Sequence, residues 1–219
     1  MSTIQKPRFH WLYALSIVYV AAVYAFPFLW FVLNRDTEPD GELSASQVVP
    51  LLLPAMLGVV NLAVCAVCWD RISLDILRNC AVIIKYSLIP FFIAGGLLIA
   101  LTWLLTFSPV VIMIFIGPVF VAVFSVLGYL SMLGSTPFSI GYLIRSARHG
   151  LHPKWLCVIG GVLQFFFVAD TISIMVLVLK ERKCIKATIV LGCLLLAAFL
   201  ALVGYIAFQI VKIAVAAIV

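Results

Sequence analysis

The chain has 219 residues, of which 66% are hydrophobic and 10% are charged, and its formal net charge is +6. Soluble domains average about 45–50% apolar and about 25% charged residues. A soluble fold with this composition would expose large apolar surfaces and aggregate. The composition therefore excludes a soluble enzyme, a nucleic-acid-binding module and a disordered tail, and it predicts a multi-pass membrane protein.

Six apolar segments are each long enough to cross the hydrocarbon core of a bilayer, which takes about 20 helical residues. They cover residues 11–33, 48–69, 86–107, 110–133, 155–179 and 187–211. Asp170 is the one charged residue within them. Because backbone groups in lipid must hydrogen-bond within the protein, the segments are predicted to be helices. We therefore expect an all-α bundle of six spans in a single integral membrane domain, residues 1–219.

The distribution of Lys and Arg predicts a cytoplasmic N-terminus, because these residues concentrate in cytoplasmic loops. Six spans then place nine Lys and Arg inside and five outside, four of those five between residues 180 and 186. In an alternative topology, residues 155–179 form a re-entrant hairpin beside five spans, which gives twelve inside and two outside. The strong helix breakers in that segment, Gly160 and Gly161, lie near its start. Six spans are therefore the favoured topology.

The loop between the fourth and fifth spans is predicted to hold a short helix at the inner interface, residues 137–149. Ser135 or Thr136 before Pro137 is typical of a helix start, and Gly150 is typical of a helix end. This helix is either a gating or partner-docking element or a plain basic connector. Its candidate contacts for anionic lipid headgroups are Arg145, Arg148 and Lys154.

Motifs for catalysis or cofactor binding are lacking in the sequence. Cys65 and Cys68 form a C-x-x-C pair with Cys80 nearby, but no second pair completes a four-ligand zinc site. The sequence has no Walker A motif, and the cations are scattered rather than gathered as a nucleic-acid interface requires. We expect no enzyme activity, metal, cofactor or nucleic-acid partner.

Asp170 is the candidate functional residue, because an ionisable side chain within a span is costly unless it is compensated. Counted along continuous helices, Asp170, Asn61 and Ser125 lie at similar depths near the midplane. We therefore expect Asp170 to hydrogen-bond to Asn61 or Ser125. Lys85, at the inner end of its span, is expected to lie too far away for an ion pair unless the helices are offset. Asp170, with Asn61 or Ser125, forms either a site for a proton or cation or a polar clamp between helices.

Helix breakers interrupt the third and fourth spans and are candidates for hinges or for close helix packing. Broken helices form substrate sites in many transporters, but Pro and Gly are also common in ordinary membrane helices. The residues concerned are Pro90, Gly95, Gly96, Gly117 and Pro118.

Two stretches, IIKYSLIPFFIAGG (83–96) and LQFFFVADTIS (163–173), resemble a family of uncharacterised membrane proteins of Gram-positive bacteria, over about residues 79–183. The resemblance implies a bacterial plasma membrane, but no activity and no functional residue. The six predicted spans, the broken third and fourth helices and the lone carboxylate Asp170 instead favour a small transporter or a membrane subunit of one. The alternative is an accessory, immunity or assembly factor that binds a membrane partner.

Overall fold

The structure is a computed structural model that describes residues 10–33, 35, 45–69, 71–107, 111–182, 185–195 and 197. In these residues the regular structure is helical: α1 (Trp11–Leu33), α2 (Ala45–Val67), α3 (Leu74–Thr106), α4 (Val111–Arg148), α5 (Lys154–Leu163), α6 (Ala169–Lys180) and α7 (Ile185–Leu195). Two compact units divide the chain, residues 1–174 and 175–219, and the boundary falls within α6. The prediction of one integral membrane domain stays a prediction.

The all-α prediction is confirmed for the described residues, but the six-span count is not. Among them, four helices, α1 to α4, are long and apolar enough to cross a membrane. The predicted span 155–179 is divided between α5 and α6. Most of the predicted span 187–211 lies outside the described residues.

The third predicted span, 86–107, belongs to a longer helix that continues on the N-terminal side of Lys85. Helix α3 begins at Leu74, after the N-cap Ser73, whose hydroxyl accepts a hydrogen bond from the Ile76 amide at 3.4 Å. Asp75 in the first turn complements the helix dipole. The side chains between residues 76 and 89 are mostly buried, so this added segment forms much of the core.

The predicted separate helix 137–149 is wrong, because α4 continues through Pro137 to Arg148. The hydroxyls of Ser135 and Thr136 do not cap a new helix. Instead they donate to the carbonyl of Met132, at 2.6 and 3.2 Å. The hydroxyls are thus satisfied within the helix, and Pro137 is accommodated inside α4, as prolines often are in membrane helices.

Two glycines let α2 and α4 approach each other closely at the centre of the bundle. A Cβ on Gly58 would lie 2.7 Å from the Gly134 Cα, which is closer than real Cβ contacts allow. The Tyr19 ring of α1 lies against Gly134, and its hydroxyl donates to the Ser131 carbonyl at 2.5 Å. Three helices therefore meet where a side chain larger than hydrogen does not fit.

We expect Gly58→Ala to lower the thermal unfolding midpoint in detergent, because the added methyl group forces α2 and α4 apart. Overpacking of this kind typically costs about 1–3 kcal/mol. Gly95→Ala is the matched control, because a Cβ there meets no described atom within 4 Å, and alanine favours helix over glycine. Equal stability of the two variants would contradict the close approach.

Candidate functional site at a buried charge pair

Lys85 lies in the most buried part of α3, with 1% of its surface exposed. Its neighbours on the same helix face, Ala81 and Leu88, are fully buried. Moving an ammonium group from water into such surroundings costs several kcal/mol unless an opposite charge and hydrogen bonds compensate it. Lys85 therefore needs a partner from another part of the fold.

The chain segment between α5 and α6 provides that partner. Residues 164–168 form a turn, in which Val168 has a φ of 65°. This left-handed conformation is strained for a β-branched residue and persists only where the surroundings hold it. The turn places Asp170 in the first turn of α6, where the helix dipole favours a carboxylate.

Lys85 and Asp170 form an ion pair in which Nζ of Lys85 donates to Oδ2 of Asp170. The other carboxylate oxygen, Oδ1, accepts a hydrogen bond from the Thr171 hydroxyl at 3.0 Å. Asp170 is 2% exposed, so neither charge is solvated. Each group therefore depends on the other for charge compensation.

A second set of hydrogen bonds joins the end of α5 to the start of α6. Nε2 of Gln164 donates to the Asp170 carbonyl at 3.2 Å and to the Ser173 hydroxyl at 2.8 Å. The Ser173 hydroxyl in turn donates to the Asp170 carbonyl at 2.8 Å. Oε1 of Gln164 is buried and has no hydrogen-bond partner among the described residues. The charge-pair cluster comprises Lys85, Gln164, Asp170, Thr171 and Ser173.

An aromatic contact holds the α5–α6 turn against α3 and α4. The ring of Phe167 lies 5.8 Å from that of Phe92 and 6.1 Å from that of Tyr129, between centroids. Phe92 lies two turns after Lys85 on α3. Because Phe167 meets Phe92 and Asp170 meets Lys85, the start of α6 runs antiparallel to α3.

The predicted partners of Asp170 lie elsewhere in the structure. Nδ2 of Asn61 donates to the Gly134 carbonyl at 3.1 Å, so Asn61 joins α2 to α4. Ser125 is half-buried on α4, nine residues before Gly134. Asp170 binds Lys85 instead, which corrects the expectation that these two lie too far apart.

Asp170 and Lys85 meet for two reasons that continuous spans do not predict. The helix predicted over residues 155–179 is interrupted at residues 164–168. Helix α3 begins at Leu74 rather than at residue 86, so Lys85 lies within it. The available signal was Lys85 itself, a single cation between the apolar runs 80–84 and 86–94.

The predicted hinge and packing residues behave differently from one another. A Cβ on Gly117 would collide with the Thr106 side chain, so Gly117 permits close contact between α3 and α4. No described atom lies within 4 Å of a Cβ built on Gly95 or Gly96. Pro90 and Pro118 lie inside the continuous helices α3 and α4.

Among the described residues, no group of three or more His, Cys, Asp or Glu side chains is arranged to hold a metal ion. The described cysteines, Cys65, Cys68, Cys80, Cys157 and Cys193, are free thiols. Lys85 and Asp170 are the charged groups that the structure buries against each other. Their arrangement can respond to a proton or a cation, because each charge is held by one opposite charge.

Comparison with known families gives one match, to a family of unknown function, DUF6652, over residues 13–183. The chain belongs to this family. The match includes α1 to α6 and both members of the charge pair, and it extends the predicted resemblance, which began at about residue 79. No curated protein and no solved structure matches the chain. The function of this DUF6652 member must therefore be argued from its own residues.

The double substitution in the charge pair is expected to destabilise the protein less than the sum of the two single substitutions. Lys85→Met or Asp170→Asn leaves one charge without its counterion, and breaking a buried pair in this way costs about 3–5 kcal/mol. In the double variant neither charge remains, so we expect a coupling energy of about 0.5–3 kcal/mol. Thermal unfolding in detergent measures the stability of the wild type, the two single variants and the double variant.

Strictly additive losses would contradict the direct contact. The matched control is Asp75→Asn, because Asp75 is a carboxylate on the same helix whose side chain is 69% exposed, although that of its partner Arg78 is 7% exposed. An ion pair with one solvated member is worth less than a fully buried pair. Asp75→Asn should therefore lower the unfolding midpoint less than either single substitution of the charge pair.

Proposed function

We propose that this protein is a small ion-coupled transporter, or the membrane subunit of one, in a bacterial plasma membrane. The observation that carries the proposal is the buried Lys85–Asp170 pair, which joins a continuous helix to the first turn of a broken one. Ionisable residues within membrane helices are rare and mark ion and substrate pathways, which makes such a residue a functional candidate by default. Broken helices form the binding sites of many transporters.

Contacts between helices support a position of the pair within the hydrocarbon layer. Near the start of α1, the Tyr13 hydroxyl accepts a hydrogen bond from Nδ2 of Asn79 at 3.2 Å. Further along, the Tyr24 hydroxyl donates to the Ser87 carbonyl at 2.7 Å. Lys85 lies six residues beyond Asn79, or about 9 Å along the helix axis. If α1 enters the membrane near Trp11, the pair lies well below the surface.

The proposed coupling step is the breaking of the ion pair. A proton that binds Asp170, or a cation that takes the place of the Lys85 ammonium group, removes the attraction between α3 and the start of α6. The α5–α6 turn then keeps the aromatic contacts of Phe167 and the hydrogen bonds of Gln164 but loses its charge contact with α3. The free Oε1 of Gln164 is placed to accept a hydrogen bond or bind a cation in that state. The two states of the pair thus correspond to a held turn and a released turn.

Ion coupling is tested with proteoliposomes that contain a trapped pH-sensitive dye and carry an imposed proton gradient, with Na⁺ and K⁺ supplied separately. Wild-type protein should carry protons or exchange them for one of the cations. Asp170→Asn keeps the shape of the side chain but cannot titrate, so it should abolish the flux. Asp75→Asn should retain it.

A folded Asp170→Asn variant with full flux would contradict the coupling role. Wild-type protein with no flux under any gradient would favour the second candidate function, an accessory factor that binds a membrane partner.

The outer halves of α3 and α4 favour that candidate, because large apolar side chains such as Leu97, Leu104 and Phe115 are exposed there. These faces offer a surface to helices of another membrane protein as well as to lipid.

The break between α5 and α6 supports the re-entrant topology with a cytoplasmic N-terminus. Lys85 is left out of the count, because it lies in the buried ion pair. Of the other 13 Lys and Arg, a segment that enters and returns on the inner side places eleven inside, whereas six spans place eight inside. The positive-inside rule therefore favours the hairpin once the helix is broken.

Cysteine labelling in intact cells tests this topology, after the six native cysteines have been replaced. Ser44→Cys, which follows the acidic stretch 36–42 in the sequence, should react with a membrane-impermeant maleimide from outside. Leu151→Cys, which is exposed between α4 and α5, should react only after permeabilisation. Restored Cys184 should behave like Leu151→Cys. External labelling of Cys184 would instead support six spans.

A further inference from the structure

An apolar groove of about 560 Å³ lies between the end of α4 and α5. Its walls include Ile140, Leu143 and Ile144 of α4, and Cys157, Val158 and Gly161 of α5. Small-molecule sites commonly have volumes of about 300–1,000 Å³. The groove is therefore large enough for a ligand and has the chemistry of a site for hydrocarbon.

Two cations flank this groove. Arg148 ends α4 and Lys154 begins α5, both are exposed, and no carboxylate lines the groove. Arg145, a predicted headgroup contact, is buried and donates to the Trp69 carbonyl. The charge of the groove is thus unbalanced and positive, which complements a phosphate group.

The surface beside the groove is typical of a membrane interface. Trp155 is 63% exposed and Val158 is 66% exposed, although both are large apolar residues. Tryptophan concentrates at the level of the lipid headgroups, where its ring is buried and its N–H group is hydrated. A groove at this level, with hydrocarbon walls and cations beside it, has the features of a headgroup site between membrane helices.

We infer that this groove binds one anionic phospholipid of the inner leaflet. Arg148 and Lys154 bind the phosphate group. The part of one acyl chain nearest the headgroup lies along Ile144 and Val158 towards Gly161. Gly161 keeps the groove open, because no described atom lies within 4 Å of a Cβ at that position. The site uses no residue of the charge-pair cluster, so it stands independently of the proposed transport function.

Native mass spectrometry of the full chain, released from detergent micelles, tests this inference with dioleoylphosphatidylglycerol and dioleoylphosphatidylcholine as probes. Wild-type protein should retain one phosphatidylglycerol molecule in preference to phosphatidylcholine. Each cation near an anionic headgroup contributes about 1 kcal/mol, or about fivefold in affinity. The double variant Arg148→Gln/Lys154→Gln should therefore bind phosphatidylglycerol about 30-fold more weakly. Arg71→Gln is the charge control, because Arg71 is an exposed cation outside the groove and its loss should leave binding unchanged.

Gly161→Leu tests the groove without changing its charge. The leucine side chain fills the open space, so binding of phosphatidylglycerol should be lost. The matched control is Gly96→Leu, because Gly96 is an exposed helical glycine with equally open surroundings among the described atoms. If Gly161→Leu does not elute as a monodisperse protein in size-exclusion chromatography, the test rests on the double variant Arg148→Gln/Lys154→Gln, whose side chains are exposed.

Three results would overturn the inference. Full phosphatidylglycerol binding by folded Gly161→Leu would place the lipid elsewhere on the protein. Equal competition by soluble glycerol 3-phosphate would show that the site recognises a phosphate anion without an acyl chain. A wild-type dimer that Gly161→Leu converts to a monomer would make a second copy of the chain the occupant of the groove.

Discussion

The contact between Lys85 and Asp170 is the constraint on which the arrangement of this protein depends. Two charges without access to water must lie together, because each one alone would cost several kcal/mol. This requirement determines where α6 begins relative to α3 and therefore where the preceding chain must turn. The strained Val168, the hydrogen bonds of Gln164 and the aromatic contact of Phe167 all serve that position.

The rest of the bundle provides the rigid frame against which the pair is held. The glycine contact between α2 and α4 and the Tyr19 hydrogen bond to α4 fix these helices at close range. Helix α3 packs against α1 and α4 over its first half. Because close-packed interiors deform little, a change in the ion pair is transmitted to the α5–α6 turn rather than absorbed by the frame.

The sequence predicted the parts of the fold that follow from uninterrupted apolar runs. Residues 11–33 form α1, and α2 overlaps the predicted span 48–69. Asp170 could be selected because it is the single charge in the predicted spans. Its partner could not be selected, because Lys85 was expected at the inner end of its span. Only the ion pair compensates the cost of burying its charge. The turn at 164–168 was also hidden, since no Gly or Pro marks it and tertiary contacts hold its strained backbone. Similarly, Pro137 resembled a helix start, but α4 continues through it to Arg148.

The large separation of the pair along the chain has a consequence for biogenesis. Lys85 precedes Asp170 by 85 residues, so at about 5–20 residues per second it is synthesised about 4–17 seconds before its counterion. During that interval the ammonium group lacks its Asp170 counterion, and its long side chain is free to extend towards the headgroups. We therefore expect α3 to reach its final depth only when α6 arrives. On this view, membrane insertion ends with a late step that moves a helix made earlier.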